Sequence, residues 1–284
     1  MKRPAAKRIL LTLTLTAAAS LSASAQQAGG LERRNGDAFV GPVQTVRAET
    51  ASYVKRDGEL VEGPRRLSFA VSYSEDGKRR EWEDYAADGA PLRRNVIVYD
   101  DAGRMVEQYY YGGHDQPIAR IISKPDEGEK LVYDGDGRAR RTVIVKREDG
   151  SVEARVYNAD GTLERTSVMK RDDGAFTTKS NDGNGMLRVE TAARGGAGGS
   201  HVNEDQHYDA TGAPADRRVT TVSPGANEYE TVVTKPDGAQ LKTRERRERD
   251  ARGNPLKSIS YVWDAAAGDY VPSRVIYFTV TYYR

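Results

Sequence analysis

The chain has no cysteine among its 284 residues. That excludes disulfides, thiolate metal sites and cysteine nucleophiles. Exported eukaryotic domains of this size usually carry disulfides. Their absence, beside the export signal described below, points to a bacterial envelope or secreted protein. Histidine is nearly missing too, with only His114, His201 and His207. His201 and His207 flank "VNEDQ", where Glu204 or Asp205 is the nearest oxygen ligand, but the spacing fits no zinc motif. No Gly-x-Ser-x-Gly elbow or P-loop occurs. Carboxylates are plentiful, yet no pair stands out for glycoside hydrolysis. Nothing after the N-terminal segment has a convincing helical period. The expected cofactor list is empty.

The apolar run at the N-terminus is short. "MKRPAAKR" holds Lys2, Arg3, Lys7 and Arg8, "ILLTLTLTAAASL" follows, and "SASA" ends the segment. This order of charged, apolar and small residues is that of a secretory signal peptide over residues 1–25. The run is below the ~20 residues of a membrane span. Cleavage is expected after Ala25, leaving Gln26, no lipid-anchor cysteine and no membrane span. The whole chain has 44 basic and 42 acidic residues. The signal takes away four bases and no acid, so the net charge moves from +2 to −2. The pI near 8.6 belongs to the precursor, and nucleic acid, which calls for a basic excess, is not an expected partner. Hydrophobic residues make up 37% and charged residues 30%, with a mean hydropathy of −0.72. Such a chain builds a thin core, as in sheets with one wet face.

What the chain does have is a repeat. Tyr-x-x-x-Gly occurs at Tyr73/Gly77, Tyr85/Gly89, Tyr99/Gly103, Tyr133/Gly137, Tyr157/Gly161 and Tyr208/Gly212. Further Asp-Gly pairs place Gly58, Gly150, Gly174 and Gly238. Asp-Gly is a hairpin signal, because Gly supplies positive φ cheaply. Between the turns, residues alternate: Leu67, Phe69, Val71 and Tyr73 against Arg66, Ser68, Ala70 and Ser72, then Val152, Ala154 and Val156 against Glu153 and Arg155. Period two marks half-buried strands. Each Tyr is read as ending a strand and packing over the next turn. A ladder of sugar-stacking rings is the other reading, but turn geometry demands constant spacing and a ligand platform does not.

The acidic turns "YDGDG" and "NDGNG" look like pieces of calcium loops. Counted from Asp134 or Asp182, the twelfth position is Val145 or Ala193, where an EF-hand needs Glu. Turn chemistry accounts for them instead. The charge run "KTRERRERDAR" (242–252) reads as a solvated edge strand with cross-strand ion pairs. Residues 26–40 read as a flexible leader and 41–284 as the β-repeat domain. Within it, residues 181–205, with "RGGAGGS", are either a joint between sub-domains or a long loop in one sheet. The segment "DAAAGD" (264–269) reads as a turn or a single helical turn. The final "DYVPSRVIYFTVTYYR" is apolar on both faces, as in a strand inside a sheet.

"YDDAGRM" (99–105), "YDGDGRA" (133–139), "YNADGTL" (157–163) and "YDATGAP" (208–214) resemble the YD repeat of RHS-type secreted bacterial proteins, over about residues 65–215. The resemblance implies antiparallel strands curling into a shell or open superhelix. Some members enclose a toxin domain. This chain has no recognisable one and lacks the patterned core segment, so the β architecture alone carries over. The chain is also similar to small exported bacterial proteins that begin with a Gly-Pro-Val segment, here "GPVQTVRAE" (41–49). Those proteins end with a Gly-Asn motif, here "RGNPLKS" (252–258), and an aromatic strand.

The expected fold is all-β, an antiparallel meander of repeated β-hairpins forming a curled or split sheet, either open shell or barrel-like. About twenty strands would fit, and open sheets rarely pass ~10 strands without curling or splitting. The expected function is a non-enzymatic binding or structural module, periplasmic or extracellular, with a glycan or another protein as partner. One alternative is a polysaccharide hydrolase with paired carboxylates on a concave face. Another is an outer-membrane barrel, against which charged strands such as "RRTVIVKRE" and the terminal Arg284 count.

Overall fold

The alternating segments all become strands. The computed structural model describes residues 39–112, 117–172, 175–195, 201–222 and 227–284, and no helix occurs among them. The first strands are β1 (Val43–Arg56), β2 (Glu59–Glu62), β3 (Arg66–Tyr73), β4 (Arg79–Tyr85), β5 (Pro91–Tyr99), β6 (Met105–Tyr111) and β7 (Pro117–Lys124). Then come β8 (Glu129–Asp134), β9 (Ala139–Lys146), β10 (Val152–Tyr157), β11 (Leu163–Asp172), β12 (Ala175–Asp182) and β13 (Leu187–Gly195). The rest are β14 (His201–Tyr208), β15 (Pro214–Val222), β16 (Glu228–Thr234), β17 (Gln240–Arg249), β18 (Pro255–Asp264) and β19 (Asp269–Tyr282).

From β3 to β19 each strand pairs antiparallel with the next. β1 lies between the two ends of this meander, with Val46 opposite Val280 of β19 on one side and Val71 of β3 on the other. The result is a closed 18-strand barrel. β2 stands outside the count as the return arm of a hairpin on the far end of β1. The sheet therefore neither splits nor stays open. The aromatic last strand is interior, because β18 and β1 flank it.

The turns differ in detail from a two-residue hairpin. Only Asp57-Gly58 has that form among the described residues, with both residues at positive φ (52° and 91°). In eleven other turns among the described residues the Gly N–H reaches the carbonyl three residues back, as from Gly137 to Asp134 at 3.0 Å. Nine of them are three-residue loops, a type I turn followed by a left-handed Gly and closed by a bond such as Asp134 N–H to the Arg138 carbonyl at 2.9 Å; Gly137 has φ 77°. The bulge leaves the N–H of a residue just after Gly to be satisfied by a carboxylate. In "Tyr-Asp" turns it is the Asp after Tyr: Asp100 accepts from Ala102 (3.0 Å) and Arg104 (2.8 Å). Elsewhere it is the Asp before Gly: Asp160 accepts from Thr162 N–H at 2.9 Å. Asp134 and Asp182 of the calcium-like loops are engaged in the same way. "DAAAGD" is a single turn, with Gly268 N–H on the Asp264 carbonyl at 2.9 Å.

The core is small and sits where the barrel closes. Phe39, Val43, Val46, Val71 and Tyr73 are buried together, with Phe69, Trp82, Phe278, Val280 and Tyr282 against them. Phe69 stacks on Trp82 at 4.2 Å. Beside this cluster Asn254, 0% exposed, acts as a substitute strand residue. Its Oδ1 accepts the Val40 N–H at 2.5 Å, and its Nδ2 donates to the Val40 carbonyl at 3.0 Å. Nδ2 also donates to the Tyr282 hydroxyl at 2.7 Å, which donates to Asp250 at 3.0 Å. The "GPV" and "RGN" motifs meet at this point.

Several boundaries shift. Phe39 and Val40 are buried and ordered into the closure, so the leader assigned to residues 26–40 ends before them. Its remainder and the signal segment with Ala25 lie outside the described residues. Residues 181–205 are not a long loop: β13 and β14 occupy most of them and pair from Val189/His207 to Gly195/His201. The Gly-rich residues at their centre, 196–200, lie outside the described residues, as does Gly174. β17 is not an edge, since β16 and β18 flank it.

Asn254→Ala leaves Val40 unpaired at a buried site. It is expected to lower the unfolding free energy by roughly 2–3 kcal/mol, read from urea denaturation midpoints. The turn carboxylates predict acid sensitivity. Backbone N–H groups of Arg104 and Met186 hold Asp100 and Asp182 below the ordinary Asp value. The hydroxyls of Ser151, Thr162 and Thr211 do the same for Asp149, Asp160 and Asp209. A depressed folded value gives stability that is complete above the unfolded value of 3.8 and is lost as pH falls through the folded one. Urea midpoints should be flat above about pH 5 and decline below about pH 4, with a shallower decline in Asp209→Asn.

Candidate functional site

The register sorts side chains onto two faces of the barrel wall. One carries Val46, Phe69, Val71, Trp82, Ile97 and Gln108, then Ser167 with Ser180 and Thr220 with Thr231 farther round. The other carries Arg47, Glu49, Glu81, Arg94, Glu107, Tyr109 and Arg120, tied by pairs such as Arg94–Glu81 and Arg120–Glu107, both at 3.4 Å. The first face has charges as well, among them Arg80, Asp84, Asp205 and Arg218. Neither face is an unbroken apolar band.

On the more charged face, β16 to β19 form a shallow cleft of about 250 Å³ lined by Glu228, Arg244, Arg246, Tyr261, Asp269 and Tyr270. Its floor follows from the register: Arg244 lies opposite Tyr261, which lies opposite Pro272. Tyr270 folds over Arg244, whose guanidinium is 4.1 Å from the ring centre. Trp263 meets Tyr270 edge-on at 5.2 Å and is 38% exposed. Arg244 bridges Glu228 at 3.3 Å and Glu230 at 3.5 Å. Burial, then the Glu230 carboxylate, raise the Tyr270 phenol above its ordinary range. The volume is below the roughly 300–1,000 Å³ of drug-sized sites, so the cleft suits a single ring-sized group.

No protein family matches the sequence, and no characterised protein matches it. Solved structures with related shape are remote. A porin-like protein from Bacteroides uniformis aligns over 84% of this chain and 97% of its own at 10% identity, with TM-score 0.41. The TcdB2-TccC3 structure aligns over 79% of this chain and 16% of its own at 11% identity, with TM-score 0.15. Likenesses this remote carry no functional inference.

The repeat residues are not gathered into a site. Tyr73, Tyr85, Tyr99, Tyr157 and Tyr208 each end a strand, and Tyr133 stands one residue before an end. Chain direction alternates, so Tyr73 and Tyr99 stand at the rim where β1 begins, and Tyr85, Tyr133, Tyr157 and Tyr208 at the opposite rim. Tyr73 and Tyr99 are buried at 6% and 8%, and the other four are half-buried. Gly77, Gly89, Gly103, Gly137, Gly161 and Gly212 all have positive φ, in line with a turn role. Other rings are covered by arginine: Arg65 lies 3.5 Å from the Tyr277 ring centre, Arg252 4.2 Å from Tyr282, and Arg94 4.3 Å from Tyr111. A sugar would have to displace these cations. His207 is exposed on β14, and His114 lies outside the described residues. Among the described residues, no three His, Asp or Glu side chains are grouped as for a metal.

A second polar cluster lies on the opposite face. Arg247 donates to Glu245 at 2.8 Å and to the Tyr229 hydroxyl at 2.8 Å, while Ser258 donates to Glu245 at 2.6 Å. Burial pushes the Glu245 carboxyl up, but hydrogen bonds from Ser258, Tyr229 and Arg247 outweigh it and hold it below its ordinary range. The same network, with burial first, raises Tyr229 to about 12. This cluster braces β16, β17 and β18. A raised phenol gives stability that is complete below the unfolded value of 10.0 and is lost as pH rises through the folded value. Urea midpoints should fall between about pH 10 and 12, and by less in Tyr229→Phe.

Sequence reasoning missed the cleft. Its aromatic residues sit at the β18–β19 turn, which has no Tyr-x-x-x-Gly signature, and Glu228 is two strands away.

Proposed function

We propose that the chain is an exported, non-enzymatic binding module that holds a glycan at the Trp263–Tyr270 cleft. The observation that carries this reading is the exposed Trp263 indole at the margin of the cleft, rimmed by Glu228, Arg246 and Asp269; Arg244 takes one face of Tyr270 at 4.1 Å, and Lys242 stands looser over the indole at 5.5 Å. Aromatic rings supply an apolar face for a sugar ring at low conformational cost, and the charged fringe answers its hydroxyls. The repeat tyrosines are structural in this reading, and the closed wall holds the cleft rigid.

Two carboxylates, Glu228 and Asp269, line the same cleft, which favours polysaccharide hydrolysis as a second reading. A general acid needs a raised carboxyl value. Glu228 is instead committed to an ion pair with Arg244 at 3.3 Å. Binding without turnover is the better account. Charges on both faces also disfavour a lipid-facing wall, which needs an apolar band about 25 Å tall. In this reading the chain works in the periplasm or outside the cell.

A glycan array followed by calorimetry tests the reading. Trp263→Ala is expected to weaken binding at least about tenfold without moving the urea midpoint. Steady release of reducing ends, abolished by Glu228→Gln, would establish the hydrolase instead. Protein captured in place of any glycan would also overturn the glycan reading. In cell fractions, salt without detergent should release the protein.

A further inference from the structure

Arg244 and Arg246 both line the cleft, but their surroundings differ. Arg244 is engaged by Glu228 and Glu230 and lies over Tyr270. Arg246 lies across the strand from Glu228, yet among the described residues it makes no ion pair or hydrogen bond. Its side chain is exposed. An arginine presents a planar fork that matches a carboxylate with two parallel N–H groups. At the cleft margin Asp269 is exposed, and a carboxylate there accepts from hydroxyls and repels anions. The two groups polarise the cleft: one end suits an anion, the other suits neutral hydroxyls, with Tyr261, Tyr270 and Trp263 between.

We infer that the cleft selects an acidic sugar, a uronic acid whose carboxylate pairs with Arg246 and whose hydroxyls face Asp269. This inference rests on the glycan reading above. A uronate has both required groups on one ring, which agrees with a cleft of about 250 Å³. Arg244 already serves Glu228 and Glu230, and Lys242 stands 5.5 Å from the Trp263 ring centre. Arg246 is therefore the guanidinium of the cleft lining left for the carboxylate of a ligand.

The test uses the full exported chain with an oligogalacturonate and its fully methyl-esterified form, which keeps the ring and removes the charge. Calorimetry is expected to show the acid binding at least about tenfold more tightly than the ester. The gap should narrow as salt rises, since the pair is exposed. Arg246→Gln should bring the affinity for the acid down to that for the ester, and Trp263→Ala should weaken both. Equal binding of acid and ester, or a preference that survives Arg246→Gln, would overturn the acidic-sugar inference and leave glycan binding standing. Binding of neither form would overturn both.

Discussion

Closure by β1 is the constraint on which the rest of the structure depends. A meander of seventeen strands from β3 to β19 has two edges, each a row of unpaired backbone groups. β1 fills the gap between them, and the described apolar core is concentrated around it. Elsewhere the wall is one layer thick, with half-buried residues on both faces. That suits a chain with 37% hydrophobic and 30% charged residues, which cannot fill a thick interior. Asn254 fixes the closing strand at its entry by offering Val40 both a donor and an acceptor, as a neighbouring strand would. Tyr283 adds a backbone bond to Pro42 at 2.8 Å.

Strand count, strand direction and turn positions were legible because they are local. A Gly at positive φ and an Asp beside it define a turn within five residues, and the alternation between turns needs no distant partner. The loop type is set locally too. Asp-Gly suits a two-residue turn only if both residues take positive φ, as Asp57 does. The carboxylate of the other turns is better used on the N–H beyond the bulge. Two sequence variants, Tyr-Asp-x-x-Gly and x-x-Asp-Gly, thereby give one geometry. Gly-rich sequence within 181–205 does not by itself tell a loop from the stretch between two long strands, here β13 and β14.

Closure and the cleft were not legible. Nothing in "GPVQTVRAE" says that it pairs with residues over two hundred positions away. The role of Asn254 is visible only once Val40 is beside it. The cleft brings Glu228, Arg244, Tyr261 and Tyr270 together from four strands by register alone. Nor does spacing show that arginines lie 3.5 Å from the Tyr277 ring centre and 4.1 Å from that of Tyr270, while Lys242 stands farther, at 5.5 Å, from that of Trp263. Charge alternation in "KTRERRERDAR" was recognised, but its residues divide between two faces: Arg244 and Arg246 to the cleft, Glu245 and Arg247 to the bracing network.

The pairing of β1 with β19 also orders events in time. Thr45 and Thr281 meet across 236 positions of sequence, so β1 has to wait for β19. Hairpins can form as the chain emerges, because their contacts are local and fast. The seam cannot, and until it seals both edges are open to strands from other molecules. A chain interrupted anywhere before β19 would keep the hairpins already made and still lack a closed wall. Synthesis through β19 is thus built into the architecture as the condition for a sealed barrel.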